Sequence, residues 1–250
     1  MILLKNRDEI NRIRESGIIL AGLLTEVKAM LEEGITTGEL DRFSYDYIIR
    51  HKAKPAFLGY FNYPATLCVS INDEVIHGIP GARKVKRGDI VGVDVGVVLN
   101  GYISDACFTK GIGPVSKERE QLLAVTEESL YLAIEQAVPG NRIHDISRVI
   151  QNHARSHGYD VVRKYCGHGT GFELHEDPQV FNFVDRGGPN PRLKPGMVLA
   201  IEPMVNEGTF DIRVLDDGWT VVTADGSDSA HFEHTVAILD DHTEILTEGF

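Results

Sequence analysis

The chain has 250 residues, 42% of them hydrophobic, and a formal net charge of −12. That is ample material for a core, and the wrong sign for broad nucleic-acid binding, which needs a basic face. Three cysteines (Cys68, Cys107, Cys166) without a CxxC pair exclude a disulfide framework and a zinc ribbon, and no apolar run approaches membrane-spanning length, so the expectation is a soluble, acidic, cytoplasmic protein with no signal peptide and no membrane partner.

Asn6 and Glu9 form a capping box that opens a long helix. Ile10, Ile13, Gly17, Leu20, Leu24, Val27 and Leu31 recur along it at helical spacing, and Gly34 ends it. Thr36 and Glu39 make a second box, starting a helix that runs towards His51 and stops before Pro55. Phe57 to Ile71 is aromatic and β-branched with Pro64 inside it, which predicts a loop and then a strand. His77-Gly-Ile-Pro80 lies in a loop. The basic run Arg83 to Arg87 reads as a solvated turn leading onwards, and it is the one candidate surface for ribosome association.

The stretch Ile90 to Lys110 is the centre of the chain. Two runs rich in Val, Ile, Tyr and Phe flank Asn100-Gly101, the strongest short hairpin signal. With those residues as the turn, Leu99 pairs with Tyr102, Asp94 lies opposite Cys107, and Asp105 lies opposite Gly96. Alternation then puts Asp94 and Asp105 diagonally on one face, roughly 7–8 Å apart at the backbone. Asp is a poor strand former and is rarely buried without a partner, so two on one apolar face point to a cation between them.

Ser116 opens a third helix that reaches about Val138, and a fourth runs from His144 to His157 with Gly158 as its stop. Strands are predicted over Val161 to Cys166, Met197 to Val205, Thr220 to Thr223 and Phe232 to Leu239, with a Gly/Pro-rich loop over Phe183 to Lys194. The second part of the chain echoes the first. Gly34, Glu39, Leu40, Arg42 and His51 match Gly140, Asp145, Ile146, Arg148 and His157 at a constant offset of 106. His77-Gly-Ile-Pro80 resembles His175-Glu-Asp-Pro178, and Lys86 to Asp94 resembles Lys194 to Glu202. The expectation is one pseudo-symmetric α+β domain over residues 1–250, with halves of roughly 1–115 and 116–250. An antiparallel sheet is covered by helices, and the site lies between the halves.

Five candidate ligands sit on strands or adjacent loops: Asp94, Asp105, His168, Glu202 and Glu233. Glu202 ends an apolar run, where an unpaired carboxylate is costly, and glycines on both sides of His168 let the backbone come close to a site. Four carboxylates and one imidazole can hold two divalent ions if two carboxylates bridge. An oxygen-rich set favours Mn, Fe, Co or Zn over a thiolate-selected metal. Two such ions, roughly 3.5–4 Å apart, suit hydrolysis by a bridging hydroxide and a polarised carbonyl. His77 and His175 flank the cluster by sequence and are better placed to bond substrate than metal. His51, His153, His157 and His242 read as surface or helix-end residues, while His231 and His234 are undecided.

Together, His77-Gly-Ile-Pro80, Asp94 with Asp105, Gly167-His-Gly-Thr-Gly171 through His175, Ile201-Glu-Pro-Met204 and Phe232-Glu-His-Thr235 resemble type I methionine aminopeptidase of the short bacterial form. The resemblance implies the "pita-bread" fold, two divalent metals, and removal of the initiator methionine from nascent polypeptides with a small second residue. By the same resemblance, Asp94, Asp105, His168, Glu202 and Glu233 ligate metal, with Asp105 and Glu233 as bridges. His77 and His175 contact substrate, His175 aids the tetrahedral intermediate, and Glu202 shuttles protons. Tyr60, Tyr63, Cys68 and Trp219 match positions that line the methionine pocket, and aromatic and sulfur groups do suit a thioether. A monomer is expected.

Three positions depart from the family pattern: Phe172 replaces a common Arg, Leu174 stands where some members are aromatic, and His231 replaces a common Gln. None is a ligand, so they bear on pocket shape and metal electronics. A prolidase is the rival enzyme, disfavoured by the missing N-terminal domain and the Cys68–Trp219 set. A non-catalytic peptide-binding module has no reason to keep five ligands and two flanking histidines. A mononuclear iron oxygenase would favour two histidines and one carboxylate.

Overall fold

The computed structural model describes all residues, Met1 to Phe250. Four helices form: α1 (Arg7–Met30), α2 (Thr37–Arg50), α3 (Lys117–Gln136) and α4 (Ile143–Ser156). Their starts are set by local chemistry. Asn6 accepts from Glu9 N at 3.0 Å while Glu9 accepts from Asn6 N at 2.7 Å, and Thr36 with Glu39 repeats the pattern. At α4 the returning group is Asp145, which accepts from Arg142 N at 2.8 Å. Helix α1 stops at Met30, four residues before the expected glycine, and Gly34 (φ 95°) turns the chain into α2.

Nine strands form an antiparallel sheet. Its main path runs Lys54–Pro55, Ile90–Leu99, Tyr102–Gly111, Glu233–Ile238, Val198–Ile201, Gly167–Gly169, Glu176–Val180. Cys68–Ile71 pairs onto Ile90–Leu99, and Thr243–Ile245 pairs onto Glu233–Ile238. Two three-stranded sheets complete the chain: Ser229–His231, Met204–Asn206 and Asp160–Val161, and then Ile212–Val214, Val221–Thr223 and Glu74–Ile76. With the helices over it, this is the expected α+β pita-bread arrangement. The main apolar core draws on all four helices and on strands of both halves.

The central hairpin has the expected register. Asn100 (φ 52°) and Gly101 (φ 84°) form the turn, Leu99 faces Tyr102, Asp94 faces Cys107 and Gly96 faces Asp105. Both turn residues adopt positive φ, as a type I′ turn requires. Lys86 to Asp89 is the turn feeding this hairpin, closed by Lys86 N donating to Asp89 Oδ2 at 2.8 Å.

Several expected strands are cut differently. Val161 to Cys166 is not one strand: only Asp160–Val161 and Gly167–Gly169 pair, on different sheets. Met197 to Val205 breaks after Ile201, because Pro203 has no N–H for a ladder and the chain crosses to another sheet. Phe232 to Leu239 does form one strand, Glu233–Ile238, and a separate short strand, Ser229–His231, precedes it.

Candidate metal centre and substrate cavity

The sheet register brings the carboxylates together. Glu233 pairs with Cys107, which pairs with Asp94, so three adjacent strands place Asp94, Cys107 and Glu233 in one row. Asp105 stands two residues from Cys107 on the same face. The neighbouring strand Val198–Ile201 pairs Ile201 with His234 and ends one residue before Glu202. Beside it, His168 pairs with Ala200.

Side-chain donors of Asp105, His168 and Glu233 lie within 4.8 Å of one another, and all three residues are buried. Glu202 joins them, with Oε1 3.5 Å from His168 Nε2. Asp94 is half-buried at the cavity wall, and the Asp105 carboxylate is the charge that acts on it. The imidazole of His168 is oriented by a bond from Nδ1 to Gly169 O at 2.9 Å, which leaves Nε2 facing the carboxylates. That is how ligating histidines are commonly held. Asp105 is tied by its backbone: its N–H donates to Thr235 Oγ1 at 2.9 Å, and that hydroxyl donates back to Asp105 O at 2.7 Å.

The cluster is electrostatically incomplete on its own. Asp94 Oδ1, Asp105 Oδ1 and Glu233 Oε1 are buried with no hydrogen-bond partner. Burial pushes Asp94, Glu202 and Glu233 well above the usual carboxylate range, and the neighbouring carboxylates push further. Burial raises Asp105 to about 7 against the pull of Ala106 N–H and Asp94. Unpaired buried oxygens in a converging set need positive charge. Carboxylate oxygens with one imidazole are the donors a hard or borderline divalent ion takes. The residues present fit a divalent metal.

The cluster forms the floor of a cavity of about 450 Å³. All eleven residues singled out from the sequence line it: the five acidic and histidine candidates, His77, His175, Tyr60, Tyr63, Cys68 and Trp219. The apolar wall is built from Phe57, Tyr63, Cys68 and Leu174, backed by Ala65 and Ile103, with Tyr60 and Trp219 packed against it. Tyr63 donates to Leu67 O at 2.9 Å and Gly78 O at 3.1 Å, so its ring is fixed edge-on to Trp219, 5.0 Å away.

The two flanking histidines are held differently. His77 has φ 60°, a left-handed backbone that costs a non-glycine residue about 1–3 kcal/mol. The next residue explains it: a Cβ on Gly78 would stand 2.2 Å from Val69 O, so the chain there lies flat on the Cys68–Ile71 strand. The His77 ring meets Tyr165 and Trp219 edge-on at 5.5 and 6.1 Å. Burial lowers its pKa to about 4, so it is neutral at pH 7. His175 is exposed at the mouth, stacked 5.3 Å from Tyr60, with Nδ1 2.8 Å from the Tyr60 hydroxyl. Its ring is 4.2 Å from that of His168.

Sequence reasoning did not select Phe57, Phe61 or Tyr165, which also line the cavity. Their signal was weak: an aromatic run before Pro64, and a tyrosine beside Cys166-Gly-His168. The two undecided histidines separate. His234 faces away from the cluster and bonds Thr247 Oγ1 at 3.0 Å. His231 is buried with Nε2 3.7 Å from Glu202 Oε2, so Glu202 has an imidazole on each side. Of the other departures, Leu174 is part of the apolar wall, while Phe172 packs on Tyr102 with Lys5 above its ring.

The sequence pattern of Metallopeptidase family M24 matches residues 11–240. The methionine aminopeptidase of Clostridium perfringens is 53% identical over 247 residues, covering 99% of each chain. A crystal structure of methionine aminopeptidase from Thermotoga maritima superposes with a TM-score of 0.96 at 44% identity, covering 100% of both chains. A prolidase from Pyrococcus furiosus shares the fold, with a TM-score of 0.81 at 23% identity over 99% of this chain and 66% of its own. The chain therefore belongs to metallopeptidase family M24 and, within it, to the methionine aminopeptidases.

Proposed function

We infer that this enzyme removes the initiator methionine from nascent proteins and peptides whose second residue is small. The observation that carries the reading is the buried Asp105–His168–Glu233 cluster at the floor of a cavity walled by Tyr63, Cys68 and Trp219. Asp94, Asp105, His168, Glu202 and Glu233 would hold two divalent ions, with Asp105 and Glu233 the carboxylates that would be shared between them. The donor set suits Co, Mn, Fe or Zn. The unpartnered oxygens of Asp94, Asp105 and Glu233 support it. When bound, such ions supply a nucleophilic water of lowered pKa and a Lewis acid for the scissile carbonyl.

The chain's own residues then do the following. The Phe57–Tyr63–Cys68–Trp219 wall takes an unbranched thioether side chain and excludes water from it. The carboxylate floor suits the free α-ammonium of the peptide, which sets the exopeptidase register. His77, neutral and locked between Tyr165 and Trp219, offers a ring N–H to the substrate amide. His175 Nδ1 lies 2.8 Å from the Tyr60 hydroxyl; in the tautomer in which that hydroxyl donates, Nε2 carries the proton and can donate to the developing oxyanion. Glu202 takes the proton of the attacking water and delivers it to the leaving amine, with His231 Nε2 at its other oxygen.

The same reading treats residues 1–250 as one catalytic domain with halves of roughly 1–115 and 116–250. The enzyme would be a cytoplasmic monomer meeting new N-termini at the ribosome through the exposed basic side chains of Arg83, Lys84, Lys86 and Arg87. No helix is long and apolar enough to cross a membrane.

The test is metal analysis of protein purified without added metal, paired with turnover of Met-Ala-Ser. Two equivalents of metal, loss of activity on chelation and its return with Mn, Co or Fe are expected. The N-acetylated peptide should resist cleavage, and Met-Ile should be cut far more slowly than Met-Ala. Full activity in metal-free protein, or equal rates on the two dipeptide sequences, would overturn the reading.

A further inference from the structure

Residues 170–175 join the strand of His168 to the Glu176–Val180 strand and carry Leu174 and His175 to the cavity. The turn has slender bonds of its own, Gly171 N to Glu173 O at 3.2 Å and Thr170 Oγ1 to Glu173 O at 3.3 Å. Its start is pinned by backbone, Thr170 N donating to Val198 O at 3.1 Å and Ile103 N to Gly171 O at 2.8 Å, and nearer His175 the anchor is a carboxylate. Glu176 Oε1 accepts from Phe172 N at 2.7 Å and from Glu173 N at 3.0 Å, gathering the residues just before His175. Glu176 Oε2 is paired with Lys5 Nζ, and the two side chains are only 4% and 1% exposed. Lys5 comes from the N-terminal segment, where its N–H donates to Gly196 O at 2.7 Å. Its ammonium also faces Leu3 O at 3.4 Å and lies 5.1 Å over the Phe172 ring. The Met1 ammonium meets Asp177, so the segment grips two consecutive residues.

A buried ion pair adds little net stability compared with apolar residues of the same shape, whereas removing one partner strands the other charge. The use of this pair lies in geometry. We propose that Lys5 and Glu176 are positioning residues for His175: the N-terminal segment neutralises the carboxylate that shapes the turn, and so fixes where the imidazole stands above the cavity. The proposal rests on the role given to His175 above.

The experiment compares two neutral pairs. K5M/E176Q keeps an acceptor oxygen for the Phe172 and Glu173 amides, K5M/E176A removes it, and neither leaves a buried charge alone. With Met-Ala-Ser under saturating metal, K5M/E176A should lose about 10- to 100-fold in kcat, the scale of a misplaced catalytic group. KM should change less than about threefold and metal content should stay parental. K5M/E176Q should recover most of that loss. In an H175A background the two pairs should have the same kcat. Parental kcat in K5M/E176A, no recovery by the glutamine, or an equal difference with and without His175 would overturn the proposal. If K5M/E176A does not fold, K5M takes its place: it should lose turnover that K5M/E176Q regains, and equal kcat in the two would overturn the proposal. H175A with parental kcat would instead overturn the role of His175 itself, a separate failure.

Discussion

In the first half of the chain an isolated bridge joins Thr36 to Lys84; in the second, one joins Arg142 to Arg192. Gly34 and Gly140 turn with φ 95° and 92°, and the imidazoles of His51 and His157 each bond the carbonyl four residues back, at 2.9 and 3.0 Å. The skeleton repeats, but the side-chain environments do not. The strand of Asp94 continues to Leu99 and returns as a hairpin, so one ladder carries Asp94 and Asp105. The equivalent strand ends before Glu202 and leaves the sheet at Pro203, and its carboxylate is flanked by His168 and His231 instead. His77 is packed edge-on to Tyr165 and Trp219 on a left-handed backbone, whereas His175 is exposed and held by Tyr60. Where the backbone pattern recurs it fixes where a side chain can stand, and the local packing decides what surrounds it.

The largest effect should come from the hairpin. Asp105→Asn replaces the carboxylate proposed to bridge two ions with a neutral amide, a weak bridge between cations. Metal analysis should find at least one equivalent lost, and kcat should fall by more than the about 10²–10³ that one oxyanion donor contributes. Retention of two ions would remove Asp105 from the bridging role.

The two histidines of the second half should then separate. His175→Ala should keep its metal and lose about 10²–10³ in kcat, or roughly 2.7–4 kcal/mol, with a smaller change in KM. His168→Ala should lose metal and be partly rescued by excess. If the metal contents come out reversed, the two roles are exchanged.

The backbone of the His77 loop can be broken without touching a functional side chain. Gly78→Ala drives a Cβ against Val69 O at 2.2 Å and should cost about 1–3 kcal/mol, the range for overpacking. Gly81→Ala meets nothing within 4 Å and should leave the melting temperature almost unchanged. Equal melting temperatures for the two variants would show that the loop yields.

The smallest effect compares the repeated capping boxes. The Thr36 hydroxyl and N–H hold Glu39 below its ordinary pKa, and the Arg148 guanidinium and Arg142 N–H do so for Asp145. A carboxylate with a lowered folded pKa stabilises the fold above its unfolded pKa, near 4, and that contribution is lost as pH falls through the folded pKa. Glu39→Ala and Asp145→Ala should each lower the melting temperature slightly at pH 7 and not at pH 2. A decrement that persists at pH 2 would mean that the charge is not what the boxes use.

The capping boxes of α1 and α2, the Asn100-Gly101 turn and the pairing of Asp94 with Cys107 were legible in the sequence because their causes are local. Each is a bond or a dihedral preference spanning a few residues, and strand alternation then puts Asp94 and Asp105 on one face. The short strands Glu74–Ile76, Glu176–Val180, Ile212–Val214 and Thr243–Ile245 were not legible, since such segments carry little periodicity and are strands only because a partner lies alongside. The same holds for Phe61 at the cavity mouth, for His231 beside Glu202 and for Lys5 under the His175 turn. Lys5 and Glu176 are 171 positions apart, and nothing near either residue specifies the other. Only the closed fold, by taking both charges out of water, makes them partners.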